Sequence, residues 1–133
     1  MKDLGIILGI RPDVIRASKI IRLLSENKNI TYDFIWSGQH YSENMKDVFF
    51  KQLNVPKPDV EFEIDTTNDA STVSSVIKNT FNHLVNNKYQ AVVFLGDTNT
   101  VMGSIGAAQQ NIPIVHIEGC MRSYDWRMPE EKY

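Results

Sequence analysis

Two carboxylates and one guanidinium stand just past apolar runs of this sequence. Asp97 and Glu118 each come at the end of such a run, and Arg11 follows shortly after a third. A pair of carboxylates can supply the base and the acid of a proton transfer. A guanidinium can hold a carboxylate or a phosphate through two parallel hydrogen bonds. The three residue types therefore suit proton transfer on an anionic ligand.

Residues 91–95 form a continuous apolar run that stops at Gly96, Asp97 and Thr98. A run of this kind indicates a strand buried on both faces, as in a parallel sheet covered by helices. The glycine permits a tight turn, which places Asp97 just past the carboxyl end of the strand. Ligands bind at that edge in open α/β sheets. Asp and Thr also cap helices, so a capping role is the alternative interpretation of both residues.

Strand-like and helix-like segments alternate along the chain. Apolar runs predict strands at 4–8, 32–36, 91–95 and 112–117, and the intervening patterns predict helices at 12–26, 44–53, 70–87 and 99–110. A connector that contains Pro56 and Pro58 follows the second helix. This alternation predicts an α/β fold, with a Rossmann-like, doubly wound parallel sheet and right-handed crossovers.

Polar residues follow the second strand as well. Gln39 and His40 come directly after Gly38. Because the carboxyl ends of parallel strands lie at one edge of a sheet, we expect both residues beside the two carboxylates. Ordinary loop chemistry also places polar residues at strand ends, and a lone histidine is more often structural than catalytic. The convergence of several such turns is therefore the main argument for a site.

The turn at residues 9–12 leads from the first strand straight into a helix. Pro12 pre-sets the backbone of the first helical turn, and free amides at a helix N-terminus can hold a phosphate. Neither G-x-G-x-x-G nor G-x-x-x-x-G-K occurs there, which excludes a dinucleotide fingerprint and a P-loop. The basic residues of this helix are expected to form a mostly solvated face.

The helices also carry expectations about packing. Phe49 and Phe50 are expected in the core, and His83 is expected to be exposed because it lies off the apolar stripe of its helix. The small residues of 99–110 are expected to let that helix lie close on the sheet. The stripe of the 70–87 helix consists of Val73, Val76, Ile77, Phe81, Leu84 and Val85.

The composition is typical of one soluble globular domain spanning residues 1–133. Hydrophobic residues make up 42% and charged residues 23%, and the net charge of -2 without a basic block argues against a nucleic acid partner. Cys120 is the one cysteine, which excludes an internal disulfide and suits a reducing, cytoplasmic location. No apolar run approaches the roughly 20 residues that span a bilayer. The N-terminus has the pattern of a first strand rather than a signal peptide.

Segments that span nearly the whole chain resemble the non-hydrolysing UDP-N-acetylglucosamine 2-epimerases and their relatives acting on UDP-ManNAc-type uronates or related amino sugars. Each segment is weak alone, but the set occurs in the family's order and is specific. The segments are 9–13 (Gly-Ile-Arg-Pro-Asp, similar to the family's G-T-R-P-E), 38–45, 48–50, 56–59, 96–100, 116–119, 122–123 and 128–131.

The resemblance implies a fold and a chemistry. The family has a glycosyltransferase-B-like fold of two Rossmann-like domains with the active site between them. It inverts C2 of the sugar by removing the C2 proton and expelling UDP, which then re-adds, without a metal or another cofactor. Asp97, Glu118 and Glu130 match the family's catalytic carboxylates. The positions matched to substrate binding are Arg11, Arg16, Gln39, His40, Thr98 and Arg122.

The chain departs from the family pattern at several positions. Arg16 stands where the family usually has Lys, and Ile10 replaces a Thr. Cys120 replaces a Gly, so the turn of Glu118 is strained if that position needs a positive φ. Tyr41-Ser42 stands where members regulated by a second UDP-sugar have Arg-Gln or a similar pair. This last departure argues against such regulation.

The resemblance covers about the first third of a family chain. The leading hypothesis is therefore the truncated N-terminal domain, or one half of a split enzyme, that needs a second domain or partner chain to bind UDP. The alternative is a non-catalytic remnant or interaction domain. A hydrolysing relative and a flavodoxin-like binding domain fit the motifs less well. An uncovered half-cleft also favours a homo-oligomer.

Overall fold

Strands and helices alternate along the chain in a computed structural model that describes residues 1–38 and 43–132. The strands are β1 (Lys2–Leu8), β2 (Tyr32–Trp36), β3 (Val60–Glu61), β4 (Tyr89–Leu95) and β5 (Ile114–Ile117). The helices are α1 (Arg11–Glu26), α2 (Glu43–Gln52), α3 (Asp69–Asn86) and α4 (Gly103–Gln109), and 3₁₀ turns cover Asn99–Met102 and Pro129–Lys132.

The sheet is parallel throughout, with the strand order β3-β2-β1-β4-β5. The chain starts at the central strand, winds outward through β2 to β3, and then crosses back to β4 and β5. This is the doubly wound topology, so the predicted Rossmann-like fold class is confirmed. Its switch point lies between β1 and β4, whose carboxyl ends separate the loops that go to opposite faces.

Alternate residues of the central strands face two separate cores. Ile6 and Leu8 of β1 pack with α1 and α2, whereas Ile7 packs on the opposite face with α3 and α4. Phe50 is buried in the first core and Phe49 packs against it, as predicted. Both faces of β1, β2 and β4 are therefore covered, which explains why these strands are apolar runs rather than alternating patterns.

Helix α4 lies against α3 as well as the sheet. A Cβ at Gly106 would lie 2.7 Å from the carbonyl oxygen of Ile77 and 2.8 Å from the amide nitrogen of Phe81. A Cβ at Gly103 would lie 2.7 Å from Thr80 Oγ1 and 3.1 Å from the ring of Phe94 on the sheet. The small residues thus permit close packing, as expected, but chiefly against a neighbouring helix.

The connector and helix α3 differ from expectation in detail. The connector contains the short strand β3, which pairs with the end of β2. Its two residues are too few to give a periodic pattern. Phe81 and Val85 are exposed although they belong to the apolar stripe of α3. His83, predicted to be exposed, is partly buried and packs against Phe62 and Tyr89. Its rotation toward the sheet depends on the crossing of α3, which the periodicity does not fix.

A polar cluster joins β2 and β4 across the central strand. The Tyr89 hydroxyl donates to Asp33 Oδ2 at 2.7 Å, and Lys2 pairs with the other carboxylate oxygen of Asp33. Tyr89 can reach across because Gly5 of β1 has no side chain; a Cβ there would lie 3.2 Å from the tyrosine ring. Burial opposes ionisation of Asp33, but the bonds from Lys2 and Tyr89 outweigh it and lower the pKa of Asp33.

Within the described ranges, no helix combines the length and the apolar character that would let it cross a bilayer.

Candidate functional site

Two of the three predicted carboxylates line one pocket of about 290 Å³ at the carboxyl end of the sheet. Asp97 enters it from the turn after β4, and Glu118 enters it from the turn after β5. Arg122 and His116 line the same pocket. Asp97 and Glu118 are both exposed, so a ligand can reach both. The pocket therefore combines two acids with a cation.

The turn that carries Asp97 depends on Gly96. Gly96 has φ +79°, in the left-handed region, and its amide donates to the carbonyl of Ile117 at 3.0 Å. Nε2 of His116 lies 2.6 Å from the carbonyl oxygen of Gly96. A carbonyl can only accept, so Nε2 carries a proton and donates. His116 and the strand pairing thus tie the Asp97 turn to the Glu118 turn.

Glu118 forms an ion pair with Arg16 of α1. Arg16 Nη1 bonds Glu118, while Arg16 Nη2 donates to Asp13 Oδ1 at 2.6 Å. Glu118 itself has φ +63°, an unusual backbone for a residue with a side chain. A single guanidinium therefore links the first helix to the turn after β5.

Asp13 is fully buried beneath this ion pair. Burial raises the pKa of Asp13, and the hydrogen bond and charge of Arg16 oppose the rise. The charges of Asp97 and Glu118 add to the rise. The same carboxylates raise the pKa of Arg16, with Asp13 contributing most. These couplings place three carboxylates and one guanidinium within electrostatic reach of one another.

Thr98 lines a second pocket of about 580 Å³, over the switch point between β1 and β4. Gly9, Gly38 and residues 66–69 also border it. At its floor, the hydroxyls of Ser37 and Thr100 lie 3.0 Å apart in a buried hydrogen bond. Thr98 is thus separated from the pocket that holds Asp97, although the two residues are adjacent in the chain.

The structure does not place Arg11 in either pocket. The Arg11 guanidinium lies over the ring of Phe49, 5.3 Å from its centroid, on the α2 side of the turn. Gln39 and His40 lie outside the described residues. The Glu130 side chain is also outside the description, although its backbone forms the 3₁₀ turn Pro129–Lys132. The roles predicted for these residues stay predictions.

The possible strain at Cys120 is absent. Cys120 is exposed and its φ is not positive; the left-handed residue of this turn is Glu118, two positions earlier. The expectation was conditional on which residue carries the unusual backbone. That assignment depends on how the turn meets Arg16, which lies far away in sequence.

Asp13 and His116 were not among the predicted site residues. Asp13 stands three residues before Arg16, a spacing at which helical side chains meet, so the pairing has a sequence signal. His116 lies inside a predicted strand, where no local pattern distinguishes a core histidine from one that holds a turn. Among the described residues, no group of three or more His, Cys, Asp or Glu side chains is placed to hold a metal ion.

Comparisons with known proteins show the family of this chain. The family model described as UDP-N-acetylglucosamine 2-epimerase matches residues 22–133, which is most of the chain. The chain belongs to the UDP-N-acetylglucosamine 2-epimerase family. A family member from Methanocaldococcus jannaschii, named UDP-N-acetylglucosamine 2-epimerase, is 41% identical over 129 residues, which is 96% of this chain and 35% of that protein.

Other epimerases are similar over the same part. UDP-2,3-diacetamido-2,3-dideoxy-D-glucuronate 2-epimerase of Pseudomonas aeruginosa is 34% identical over 94% of this chain and 36% of its own length. The crystal structure of the M. jannaschii UDP-GlcNAc 2-epimerase in complex with UDP-GlcNAc and UDP matches with a TM-score of 0.87 and 40% identity, over 98% of this chain and 36% of that one. The chain therefore spans about a third of the length of these epimerases.

Proposed function

We propose that this chain is the N-terminal, carboxylate-bearing part of a UDP-N-acetylglucosamine 2-epimerase or of a closely related UDP-amino-sugar 2-epimerase. The observation that carries the proposal is the convergence of Asp97 and Glu118 on one pocket with Arg122 at the carboxyl edge of the sheet. Family membership supports the same reaction. The substrate is a UDP-sugar.

The proposed chemistry is redox-neutral. A base removes the proton from C2 of the sugar, and the C1–O bond to UDP breaks as a C1–C2 double bond forms. UDP then re-adds to C1 while an acid returns a proton to the opposite face of C2. Two carboxylates on one pocket can fill these complementary roles, and cations stabilise the leaving diphosphate.

The residue roles follow from position. Asp97 and Glu118 act on the C2 proton, and Glu130 is proposed as the third carboxylate of the site. Arg122 faces the pocket from the segment after β5 and binds the anionic part of the substrate. Arg11 is proposed on the phosphate side, which requires its guanidinium to leave the Phe49 ring.

We propose that the remaining two thirds of the family's length supply what this part lacks. The Asp97–Glu118 pocket is open on one side, and a partly open site loses binding energy and water exclusion. Met121 lines this pocket and is exposed, and Tyr124 and Trp126 of the following segment are exposed as well, which suits a covering domain, a partner chain or a second copy. The alternative is a remnant that keeps the fold without turnover.

The test is a proton NMR time course of the folded chain with UDP-N-acetylglucosamine in D2O. We expect deuterium at sugar C2 and the manno epimer once a second domain, a partner chain or a second copy covers the site. Asp97→Asn and Glu118→Gln should each lower the exchange rate by about 10²–10⁴-fold, because each removes a proton-transfer group. Asp47→Asn, which breaks an exposed pair with Lys57, is the control and should exchange like the wild type.

A second sample separates an inactive part from a remnant. Residues 1–133 are joined to the part of the M. jannaschii relative that lies beyond the match. Exchange by the chimera but not by the chain alone would show that the carboxylates work once the site is covered. A folded chimera that binds UDP but exchanges nothing would exclude the epimerase proposal for these carboxylates.

A further inference from the structure

A fully buried carboxylate lies one layer below the proposed site. Asp13 has 0% of its surface exposed. One carboxylate oxygen accepts from Arg16 Nη2 at 2.6 Å, and the other has no hydrogen-bond partner among the described residues. A buried charge without full hydrogen bonding is costly to a fold. The position therefore calls for an explanation beyond helix stability.

The Arg16 guanidinium connects this carboxylate to the pocket. Nη2 bonds Asp13 and Nη1 bonds Glu118, so the two ends of the fork are held by carboxylates from different elements. The guanidinium lies directly below Gly96, where a Cβ would be 2.8 Å from Nη2 and 3.5 Å from Asp13 Oδ1. Gly96 precedes Asp97, so the fork touches both carboxylate turns.

We infer that Asp13 is a positioning residue, which holds the Arg16 guanidinium so that its other nitrogen fixes Glu118 beside Asp97. The inference rests on the proposed function for its effect on turnover, but the geometry stands without it. It also reassigns Arg16: the guanidinium acts through Glu118 rather than as a ligand of the substrate's diphosphate.

Helix stabilisation alone does not explain Asp13. An acidic residue in the first turn favours a helix through the dipole, and α1 has no side-chain cap at Ile10. That role needs neither complete burial nor a bond to a side chain one turn later. The positioning role requires both the bond from Arg16 Nη2 to Asp13 and the bond from Arg16 Nη1 to Glu118.

The geometry also explains an arginine at position 16. A guanidinium presents its donors in a rigid fork and can bridge two carboxylates, whereas a lysine ammonium is a single point of charge. Arg16→Lys therefore keeps the charge but loses one of the two bonds. Asp13→Glu adds a methylene, which lets the carboxylate reach toward a shorter cation. We expect the double variant Asp13→Glu/Arg16→Lys to recover part of what Arg16→Lys loses.

The first test needs no turnover. The chain is labelled with ¹⁵N-arginine for NMR. A guanidinium that is hydrogen-bonded at both terminal nitrogens rotates slowly and gives separate Nη signals. We expect separate Arg16 signals in the wild type and in the Asp47→Asn control, and loss of that separation in Asp13→Asn. Separate signals that persist in folded Asp13→Asn would overturn the inference, because Glu118 would then hold Arg16 unaided.

The second test uses C2 deuterium exchange in whichever form of the protein turns over. Asp13→Asn should lower kcat by about 10–100-fold, the cost of a misplaced catalytic group, with KM changed less than about twofold. Arg16→Lys should behave alike, and Asp13→Asn/Arg16→Lys should lose no more than the larger single loss. If the kcat losses of the two single variants multiply in the double variant, or if only KM rises, Arg16 binds the substrate directly. Either result would overturn the inference.

The two tests separate this inference from the proposed function. If no form of the protein exchanges deuterium, the epimerase proposal fails, yet the Arg16 signals still decide whether Asp13 holds the guanidinium. If Asp13→Asn does not fold, Arg16→Lys and Asp13→Glu/Arg16→Lys carry the kinetic comparison. Rescue by the double variant supports the inference, and equal losses in both variants contradict it.

Discussion

Gly96 shows how one residue at the end of a strand organises a pocket. Its left-handed backbone turns the chain after β4, and its missing side chain leaves room for the Arg16 guanidinium. The carbonyl of the same residue accepts from His116. The Arg16 guanidinium and the His116 ring therefore both contact Gly96. We expect the position of Asp97 relative to Glu118 to depend on these contacts.

We expect Gly96→Ala to destabilise the fold by roughly 1–3 kcal/mol, because it adds a left-handed strain and a collision with Arg16 Nη2 at 2.8 Å. Urea unfolding measures the loss. Asn54→Ala is the matched control, since Asn54 is exposed and has φ +51°. It should cost only the backbone strain, about 1 kcal/mol. Equal losses of unfolding free energy in both variants would show that the Arg16 guanidinium moves aside without destabilising the fold.

The α3–α4 pair shows how the absence of side chains at two glycines positions a helix. Gly103 and Gly106 bring α4 against α3 at a distance that no larger residue permits. This contact fixes where the chain leaves β4 and where β5 begins, because α4 is only seven residues long. The position of the Glu118 turn relative to the Asp97 turn depends on this crossover.

Gly106→Ala separates helix propensity from packing by the sign of its effect. Propensity alone predicts that the variant is stabilised by about 1 kcal/mol. The new Cβ, at 2.7 Å from a backbone oxygen of α3, predicts a net loss of roughly 1–3 kcal/mol instead. Thermal or urea unfolding decides, and Ala108→Gly on the exposed face of α4 calibrates the propensity. A stabilised Gly106→Ala would mean that α4 can move outward freely.

The whole molecule divides its titrating groups between the two ends of the sheet. The Asp13–Arg16–Glu118 group lies at the carboxyl end, and the Lys2–Asp33–Tyr89–His83 cluster lies toward the amino ends of β1 and β4. Burial lowers the pKa of His83, with Asp33 opposing the shift, and burial raises the pKa of Tyr89. His83 therefore belongs to the cluster that lies away from the proposed site.

Acid should weaken the fold through His83. Its folded pKa lies below the ordinary 6.5, so the unfolded chain binds more protons between these values and stability rises with pH there. We expect the free energy of unfolding in urea to rise between about pH 5 and pH 7, and to rise less in His83→Gln.

Two carboxylates also contribute to the pH dependence of the free energy of unfolding in that experiment. The raised pKa of Asp13 has the opposite sign, because its folded form binds protons more readily above 3.8, but it contributes equally to both proteins and cancels. The lowered pKa of Asp33 stabilises the fold above 3.8, and that stability is lost only as pH falls through its folded pKa. Parallel pH curves for wild type and His83→Gln would contradict the role of His83.

The sequence by itself determined the sheet class and the edge at which polar groups gather. The long apolar run ending in Gly96-Asp97 requires a strand buried on both faces, and alternation with helices requires parallel pairing. Those signals are local, so they survive without knowledge of the tertiary structure. The same local reasoning gave the bounds of β2 correctly and the ends of other elements within a few residues.

Tertiary packing decided which of those polar groups meet. Arg16 turned inward to bridge Asp13 and Glu118, which are 105 residues apart along the chain by their numbers, while Arg11 lay on Phe49 instead. Thr98 and Asp97 entered different pockets although they are neighbours. The reason is physical: a side chain's partner is set by how helices cross the sheet. Those crossings depend on contacts such as Gly106 on Ile77, which local sequence patterns do not encode.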